Sequence, residues 1–267
     1  MGSPPENRLL PGRRLGELCG VFLGQAEALA ERAFTTPPAY GTVAWERALD
    51  DLGTRFGSVA EILNEPALRE VEDSTRRLLA DIRQEDTYTP YWAADSLTAR
   101  LCYLACRLIK PQTVVETGVA YGVSSAFMLR AMQENGQGTL FSVDLPPLRR
   151  RYERFWGIAV PNGLWDRWRL HRGTSASTLP RLLRKIPKVD LFVHDSLHTH
   201  RNMRREFDTV WPHLREGALL IADDVERNRA FGELQQKAPA LWRVVKDRET
   251  SPLHGKAAPV VFGIAMK

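Results

Sequence analysis

Three carboxylates and one histidine follow two apolar runs in the second half of the chain. Asp195 comes directly after L-F-V-H, and Asp223 and Asp224 come directly after A-L-L-I-A. If the two runs are neighbouring strands, the carboxylates meet at one sheet edge, where they repel one another unless protons or a cation neutralise them. A set of oxygens suits a hard divalent ion, Mg²⁺ first. His198 lies three residues beyond Asp195, and an imidazole, whose pKa is about 6.5, can remove a proton near neutral pH.

The stretch T-V-V-E-T-G-V-A-Y-G-V-S-S is typical of a buried strand that opens through a glycine turn into a helix. Gly118 and Gly122 allow a tight turn and the close approach of a ligand, and Ser124 and Ser125 stand where a helix N-cap is expected. Such a loop points backbone N–H groups at a nucleotide-like ligand. Glu116 at the strand end disfavours a pyrophosphate and favours a ligand with a ribose and a cationic centre. This indicates S-adenosylmethionine (SAM) rather than NAD.

The pattern E-x-G-x-x-x-G-x-S, formed by Glu116, Gly118, Gly122 and Ser124, resembles motif I of the class I SAM-dependent methyltransferases. Its spacing is most similar to that of the small-molecule O-methyltransferases of the catechol type. The resemblance covers about residues 95–267, and a glycine-rich turn without a ligand is the alternative. The cofactor residues that the resemblance implies are Glu116, Gly118, Tyr121, Gly122, Ser124, Asp144, Gly173, Thr174, Ser175 and Asp195.

Two of these predicted cofactor sites follow further strands. Asp144 comes after T-L-F-S-V, and the resemblance makes it the acid that accepts both ribose hydroxyls of SAM. One carboxylate can accept two hydrogen bonds from a cis-diol, although an aspartate here can also cap the next turn. Gly173, Thr174 and Ser175 come after the next predicted strand, where the family places contacts to the adenine.

The resemblance also bears on the metal and the base. Metal-dependent catechol-type enzymes share the spacing of Asp195 and Asp223, but their third ligand is usually asparagine, where this chain has Asp224. Paired aspartates resemble the antibiotic-tailoring sugar O-methyltransferases instead, and a cluster without metal is the alternative. At the offset of His198 the catechol-type family has a lysine that removes the hydroxyl proton, and a surface imidazole is the alternative. Of the neighbouring histidines, His194 is expected in the core and His200 at a helix start.

Strand and helix patterns alternate from Ser96 onward, which predicts an α/β fold with a doubly wound, Rossmann-like, seven-stranded and mostly parallel sheet. Two strands in succession close the chain and suit an antiparallel last strand. The predicted strands are 113–117, 139–143, near 167–171, 189–194, 218–222, 241–246 and 259–265. The predicted helices are 96–109, one from 124, 176–185, 201–214 and one around 227–237.

The first 90 residues show helical spacing and no strand pattern. We expect residues 1–90 to form a helical extension that caps the methyltransferase domain at 91–267 or joins copies of the chain into a homo-oligomer. Within the extension, residues 1–12 hold three prolines and predict a flexible tail. T-Y-T-P-Y-W at 87–92 predicts a linker whose rings line the ligand pocket or pack in the core. The same two alternatives apply to Trp156, Trp165 and Trp168.

Charge, apolar runs and cysteines indicate which partners and which compartment to expect. The net charge is +5, with seven lysines among 37 basic residues. The scattered arginines favour a GC-rich genome over a nucleic-acid-binding face, and no aromatic RNA motif accompanies them. No apolar run approaches the roughly 18 residues of a membrane span, and the chain start lacks a signal-peptide pattern. Three cysteines, two of them at Cys102 and Cys106, favour buried thiols in a reducing compartment. We therefore expect a cytoplasmic protein with no membrane partner.

Together these patterns predict a SAM-dependent, Mg²⁺-assisted O-methyltransferase that acts on a small hydroxylated molecule, such as a secondary metabolite. The ion would hold substrate oxygens, and His198 would take the hydroxyl proton. Two alternatives stay open from the sequence. One is a metal-independent methyltransferase acting on nitrogen or RNA, and the other is a SAM-binding protein without transfer activity.

Overall fold

An eight-stranded mixed sheet organises the computed structural model, which describes residues 12–34, 36–84, 94–147, 150–250 and 257–267. The strands are β1 (Thr42–Val43), β2 (Thr113–Thr117), β3 (Thr139–Asp144), β4 (Trp168–Arg172), β5 (Val189–His194), β6 (Leu214–Asp223), β7 (Leu241–Thr250) and β8 (Ala257–Met266). Their order across the sheet is β1-β7-β8-β6-β5-β2-β3-β4. Most neighbours are parallel, and β8 runs antiparallel to both β6 and β7. The predicted α/β fold with an antiparallel last strand is confirmed.

Helices cover both faces of the sheet, with four of them between β1 and β2 and single helices between most of the later strands. They are α1 (Gly12–Phe34), α2 (Trp45–Phe56), α3 (Val59–Leu63), α4 (Pro66–Gln84), α5 (Ser96–Ile109), α6 (Val123–Asn135), α7 (Ser175–Leu183), α8 (His200–Val210) and α9 (Ala230–Glu233). Short 3₁₀ turns lie at Arg150–Phe155, Asn162–Arg167, Trp211–His213, Val225–Arg227 and Leu234–Lys237.

The structure corrects the predicted number of strands and the bounds of two predicted helices. The sheet has eight strands rather than seven, because Thr42 and Val43 leave the helical extension to pair with Val244 and Val245 at the edge. The helix predicted over 201–214 ends at Val210, where a 3₁₀ turn containing Pro212 leads directly into β6. The helix predicted around 227–237 is divided between α9 and two 3₁₀ turns.

The N-terminal helices share the main core of the protein. Trp45, Leu52 and Leu68 are buried in the same hydrophobic cluster as Leu101 and Phe127. Burial of such side chains contributes roughly 1.5–3 kcal/mol each. Helices α2 to α4 are therefore held on the sheet by apolar packing. Residues 1–11 of the tail predicted over 1–12 and the predicted linker at 87–92 lie outside the described residues, whereas Gly12 begins α1.

Two further observations concern the predictions about membrane spans and cysteines. Among the described residues, no helix is long and apolar enough to cross a membrane. Cys102 and Cys106 are buried as predicted, and burial raises the pKa of both thiols. Cys19 differs from the expectation, since it is exposed on α1.

The register of the sheet determines where the predicted site residues lie. Thr117 pairs with Val143 on one side and with His194 on the other, and His194 pairs with Ala222. Each of these residues is followed by a predicted site residue. One row at the carboxyl edge of the sheet therefore contains Gly118, Asp144, Asp195 and Asp223.

Candidate active site

Gly118 stands where two strand ends approach each other most closely. Its φ is +87°, and a Cβ added to it would lie 1.9 Å from the carbonyl oxygen of Asp195. The neighbouring backbone is tied together, because the N–H of Asp195 donates to the carbonyl of Thr117 at 2.8 Å. Only glycine fits this position. The predicted cofactor loop and the predicted metal site are therefore in direct backbone contact.

The turn after Gly118 ends at Gly122, which precedes α6 with a φ of +80°. The predicted capping role of Ser124 and Ser125 is wrong, because both residues lie inside the first turn of α6. Their hydroxyls instead donate to Glu116, at 2.5 Å and 2.6 Å. The helix begins earlier than predicted because glycine readily takes the left-handed conformation required at its start.

Glu116 is fully buried at the end of β2 and has both carboxylate oxygens engaged. Besides the two serines of α6, Ser142 on β3 donates to it at 2.8 Å. Burial raises the pKa of Glu116 to about 7, although the three hydroxyl donors lower it in opposition. Glu116 thus joins β2, β3 and the start of α6, and this fixes the shape of the glycine loop. Its predicted contact with the cofactor stays a prediction.

Asp144 accepts hydrogen bonds from the other side of the glycine loop that follows β2. The backbone N–H groups of Val119 and Ala120 donate to its Oδ2 at 3.1 Å, and the indole of Trp156 donates to the same atom at 2.8 Å. Among the described residues, the donor to its Oδ1 is the N–H of Leu145, at 2.8 Å. Burial raises the pKa of Asp144, and these donors oppose the increase. An oxygen with one donor retains capacity for a further hydrogen bond, as the predicted ribose contact requires.

The aromatic residues near this loop separate into different environments. Trp156 reaches Asp144, whereas Trp168 is buried, donates to Ser142 at 2.9 Å and packs against Gly157. Trp165 is partly buried. Tyr121, a predicted cofactor residue, lies with its ring buried in the main core. For Trp168, core packing is the better of the two alternatives.

The predicted adenine loop lies next to Asp144. Gly173 has a φ of +149°, and its N–H donates to the carbonyl of Asp144 at 2.9 Å. Thr174 caps α7, since its hydroxyl accepts from the N–H of Ser177 at 3.3 Å. Ser175 begins that helix, and its hydroxyl contacts Asn202 of α8 at 3.3 Å. The three residues are thus beside the loop that they were predicted to complete.

A group of possible metal ligands lies at the ends of β5 and β6. One ligand atom each from Asp195, His198 and Asp223 lies within 4.8 Å of the other two. Thr98 of α5 borders the group, and its hydroxyl donates to Asp223 at 3.4 Å. The structure therefore brings together two of the three predicted metal ligands and the predicted base.

Asp224, the third predicted ligand, has a different environment. It adopts a φ of +52°, and its Oδ2 lies 2.6 Å from the guanidinium of Arg227. The same oxygen is 3.4 Å from Nδ1 of His198, while Nε2 of His198 lies 3.6 Å from Asp195. Nε2 is buried and has no hydrogen-bond partner among the described residues. Asp224 can thus hold the proton on Nδ1, which leaves Nε2 free to accept one.

Burial controls ionisation in this group. It raises the pKa of Asp195 and of Asp223 well above the ordinary value, and the neighbouring carboxylates, Asp224 among them, raise both further. It lowers the pKa of His198 well below its usual range, as do His194 and Arg227. His198 is therefore neutral at physiological pH. Two desolvated carboxylates that repel each other are the environment in which a bound cation is most favourable.

Glu206 was not identified from the sequence, yet its carboxylate binds several residues next to the row of strand ends. It is buried on α8 and accepts from Thr117 at 2.5 Å, from His194 at 2.7 Å and from Ser196 at 2.8 Å. The fourth donor is Asn202, at 2.9 Å. A charged residue on the apolar face of a predicted helix is the sequence signal that could have identified it.

The other histidines occupy the places that the sequence suggested. His194 is completely buried, in agreement with its predicted core position. His200 begins α8, and its Nε2 lies 3.0 Å from Glu233.

Comparison with known proteins agrees with this geometry. Residues 115–225 match the family model of a methyltransferase domain. The O-methyltransferase TomG from Streptomyces achromogenes, solved with SAM and involved in tomaymycin synthesis, is 18% identical over 84% of this chain and 99% of its own, with a TM-score of 0.53. Cofactor-bound Rv0187 from MTB is 17% identical over 85% of this chain and 98% of its own, with a TM-score of 0.51. No curated protein gives a significant match.

The domain match and the fold point the same way. The eight-stranded sheet, with a glycine loop after β2 and an acid after β3, shares the fold of TomG. The match over residues 115–225 is to a methyltransferase domain, which agrees with the enzyme class predicted from motif I.

Proposed function

We propose that this enzyme transfers the methyl group of SAM to a hydroxyl oxygen of a small molecule, assisted by a divalent ion. The observation that carries the proposal is the group formed by Asp195, His198 and Asp223. It lies against Gly118 of the cofactor loop through the backbone of Asp195. An acceptor held at this group would therefore be beside the cofactor, which is the proximity that methyl transfer needs.

The donor set fits a divalent ion. Asp195 and Asp223 supply carboxylate oxygens, and waters and acceptor oxygens would complete the octahedron that Mg²⁺ prefers. When bound, the ion supplies Lewis acidity that favours the ionised form of the acceptor hydroxyl. We assign Asp224 to orienting His198 rather than to the ion, because its oxygen faces Nδ1 of His198 and the guanidinium of Arg227.

His198 is the proposed base. Its Nε2 takes the proton of the acceptor hydroxyl, and the oxygen then attacks the methyl carbon of SAM in line with the sulfur. The carbon–sulfur bond breaks with its electron pair on sulfur, so that S-adenosylhomocysteine (SAH) leaves. Asp144, Gly118, Gly122 and the loop from Gly173 to Ser175 are proposed to hold the cofactor for this attack.

The acceptor and the setting extend the same proposal. TomG is described as an O-methyltransferase of tomaymycin synthesis, and this supports a secondary metabolite as the acceptor here. We place the reaction in the cytoplasm. We also propose a homo-oligomer formed through α1, whose outer face exposes Phe22, Leu23 and Leu29 by 62%, 70% and 66%. Phe22 and Leu29 are seven residues apart, which is the spacing of a helix-pairing seam.

The metal is tested by measuring SAH formation from SAM with catechol and a panel of hydroxylated small molecules. We expect excess EDTA to abolish turnover and Mg²⁺ to restore it. Asp223→Asn should weaken Mg²⁺ binding in calorimetry and leave SAM binding nearly intact. Asp208→Asn, on the exposed face of α8, is the matched control and should change neither. Full turnover in EDTA would show that the carboxylate group is structural.

A further inference from the structure

Helix α1 lies across the carboxyl edge of the sheet, in contact with three successive strand ends. A Cβ on Gly20 would lie 2.6 Å from Cγ2 of Thr174 and 3.9 Å from Cδ1 of Leu145. A Cβ on Gly24 would lie 3.0 Å from Cδ2 of Leu197. Thr174, Leu145 and Leu197 come after β4, β3 and β5, respectively. The absence of side chains at the two glycines is thus what allows α1 to approach these loops.

Two carboxylates hold the C-terminal half of α1 on the same edge. Glu27 accepts a hydrogen bond from the hydroxyl of Thr199 at 2.5 Å. Both oxygens of Glu31 accept from the backbone N–H of His200 at 2.8 Å. His200 is the first residue of α8, where a negative charge interacts favourably with the helix dipole. These contacts lie one and two residues beyond His198.

The described side chains of α1, from residue 19 to residue 33, bury no apolar surface in the core. Every side chain described between residues 19 and 33 is exposed or only partly buried, and none belongs to either hydrophobic cluster. Helices α2 and α4, in contrast, bury Leu52, Leu68 and Val71 in the main core. A helix held by a few part-buried hydrogen bonds and by glycine contacts opens at a lower free energy than one anchored in the core.

We propose that α1 is a lid on the cofactor cleft, which leaves the sheet edge to admit SAM and to release SAH. Ligands of open α/β sheets bind outside the carboxyl ends of the strands, and α1 occupies that side of the predicted adenine and ribose positions. When docked through Gly20, Gly24, Glu27 and Glu31, it retains the cofactor and excludes water from the transfer step. The proposal rests on the cofactor site of the proposed function.

The test uses a variant that keeps the helix and blocks its docking. Gly20→Leu replaces the poorest non-proline helix former with one of the best, a gain of up to about 1 kcal/mol in helix propensity. Its side chain would meet Thr174, so α1 stays helical but cannot approach the edge. Ala26→Leu adds the same side chain on the exposed face of α1 and is the matched control. Glu31→Gln removes one charged contact without adding volume.

Two measurements report on the lid independently of turnover. Hydrogen exchange of the α1 amides is followed with and without SAH, and SAH release is followed by stopped-flow tryptophan fluorescence, for which Trp156 beside Asp144 is a natural reporter. We expect SAH to slow exchange in the wild type and in Ala26→Leu. Gly20→Leu should lose this protection and release SAH at least about tenfold faster, the factor equivalent to about 1.4 kcal/mol. Glu31→Gln should lie between them.

The outcomes separate the two proposals. If the wild type binds SAH in calorimetry but α1 exchanges at the same rate with and without it, the lid is refuted and the cofactor site stands. Wild-type release from Gly20→Leu would also refute the lid. If the wild type binds neither SAM nor SAH, the cofactor site is refuted and the lid with it.

Discussion

The buried carboxylate of Glu206 allows the energetics of the site to be tested directly. Its four donors come from three parts of the molecule: Thr117 on β2, His194 on β5, and Ser196 and Asn202 around the start of α8. Glu206→Ala would leave all four without this acceptor. Buried polar groups that lose their partner carry the full cost of desolvation. We therefore expect a large loss of stability from this single substitution.

The pKa of Glu206 gives the magnitude of the expected loss of stability. Burial alone would raise this pKa, but the charge of His194 and the surrounding hydrogen-bond donors outweigh burial and lower it from 4.5 to about 2. At about 1.4 kcal/mol per pKa unit, the difference corresponds to roughly 3 kcal/mol of stabilisation. Removal of one partner from a buried charged pair typically costs about 3–5 kcal/mol. The two estimates agree in size.

The sign of the pH dependence follows from the lowered pKa. Above the unfolded-state pKa of 4.5, Glu206 is ionised in both states and its contribution is fully present. As the pH falls from 4.5 towards 2, the unfolded chain takes up a proton more readily than the folded one, and the contribution is lost. The difference in unfolding free energy between wild type and Glu206→Ala should thus be largest near neutral pH. By pH 3 it should decrease by about half.

Urea unfolding, followed by circular dichroism at pH 7, 5 and 3, measures this difference. Asp208→Asn is the control, since Asp208 lies on the same helix with 51% of its side chain exposed and forms surface ion pairs with Arg204 and Lys237. Such pairs contribute about 0–1 kcal/mol. A Glu206→Ala protein within about 1 kcal/mol of the wild type at pH 7, or a difference independent of pH, would refute the reasoning.

Three further predictions concern the site and the assembly. Gly118→Ala and Asp144→Ala should each strongly weaken SAM binding in calorimetry. The Cβ of the first would collide with the backbone of Asp195, and in the second the loop N–H groups lose their acceptor. Binding at wild-type strength in both variants would contradict the cofactor site. His198→Ala should lower turnover by about 10²- to 10⁴-fold. Because burial lowers the pKa of His198, the wild-type rate should fall only at pH values below the usual histidine range, and the variant should lack this inflection. An unaltered rate and pH profile, or a loss of metal affinity, would assign His198 another role. Phe22→Glu should convert a homo-oligomer to monomer in analytical ultracentrifugation, and an unchanged sedimentation coefficient would exclude α1 as the interface.

Where local pattern alone decides the structure, the sequence-based prediction agrees closely with it. β2 spans residues 113–117 and α5 spans 96–109, as predicted. The β-branched run of β2 is bounded by glycine, and the apolar face of α5 begins after Asp95, so both elements carry their own start and stop signals. The alignment of Asp195 and Asp223 was predictable for the same reason, because the ends of neighbouring parallel strands meet at one edge.

Features that depend on tertiary partners were not predictable in this way. β1 has only two residues, and it is a strand because the edge of β7 offers unpaired backbone groups. Ser124 and Ser125 match a capping pattern, but the acceptor that they find is Glu116, a side chain on another element. The contact of Gly20 with Thr174 joins residues more than 150 positions apart. Neither propensity nor periodicity carries such information.

The distribution of buried charge explains how one edge can be both rigid and accessible. Glu116, Asp144 and Glu206 lie beneath or within the row of strand ends, and each accepts donors from at least two elements. Buried networks of this kind hold side chains in one arrangement, because any displacement leaves donors unpaired. The carboxylates of α1 instead hold a helix whose described side chains lie outside both hydrophobic clusters, so that their part-buried hydrogen bonds can break without opening the core. The loops proposed to position SAM are thereby fixed to the sheet from below, while the proposed lid above them can exchange its contacts with solvent.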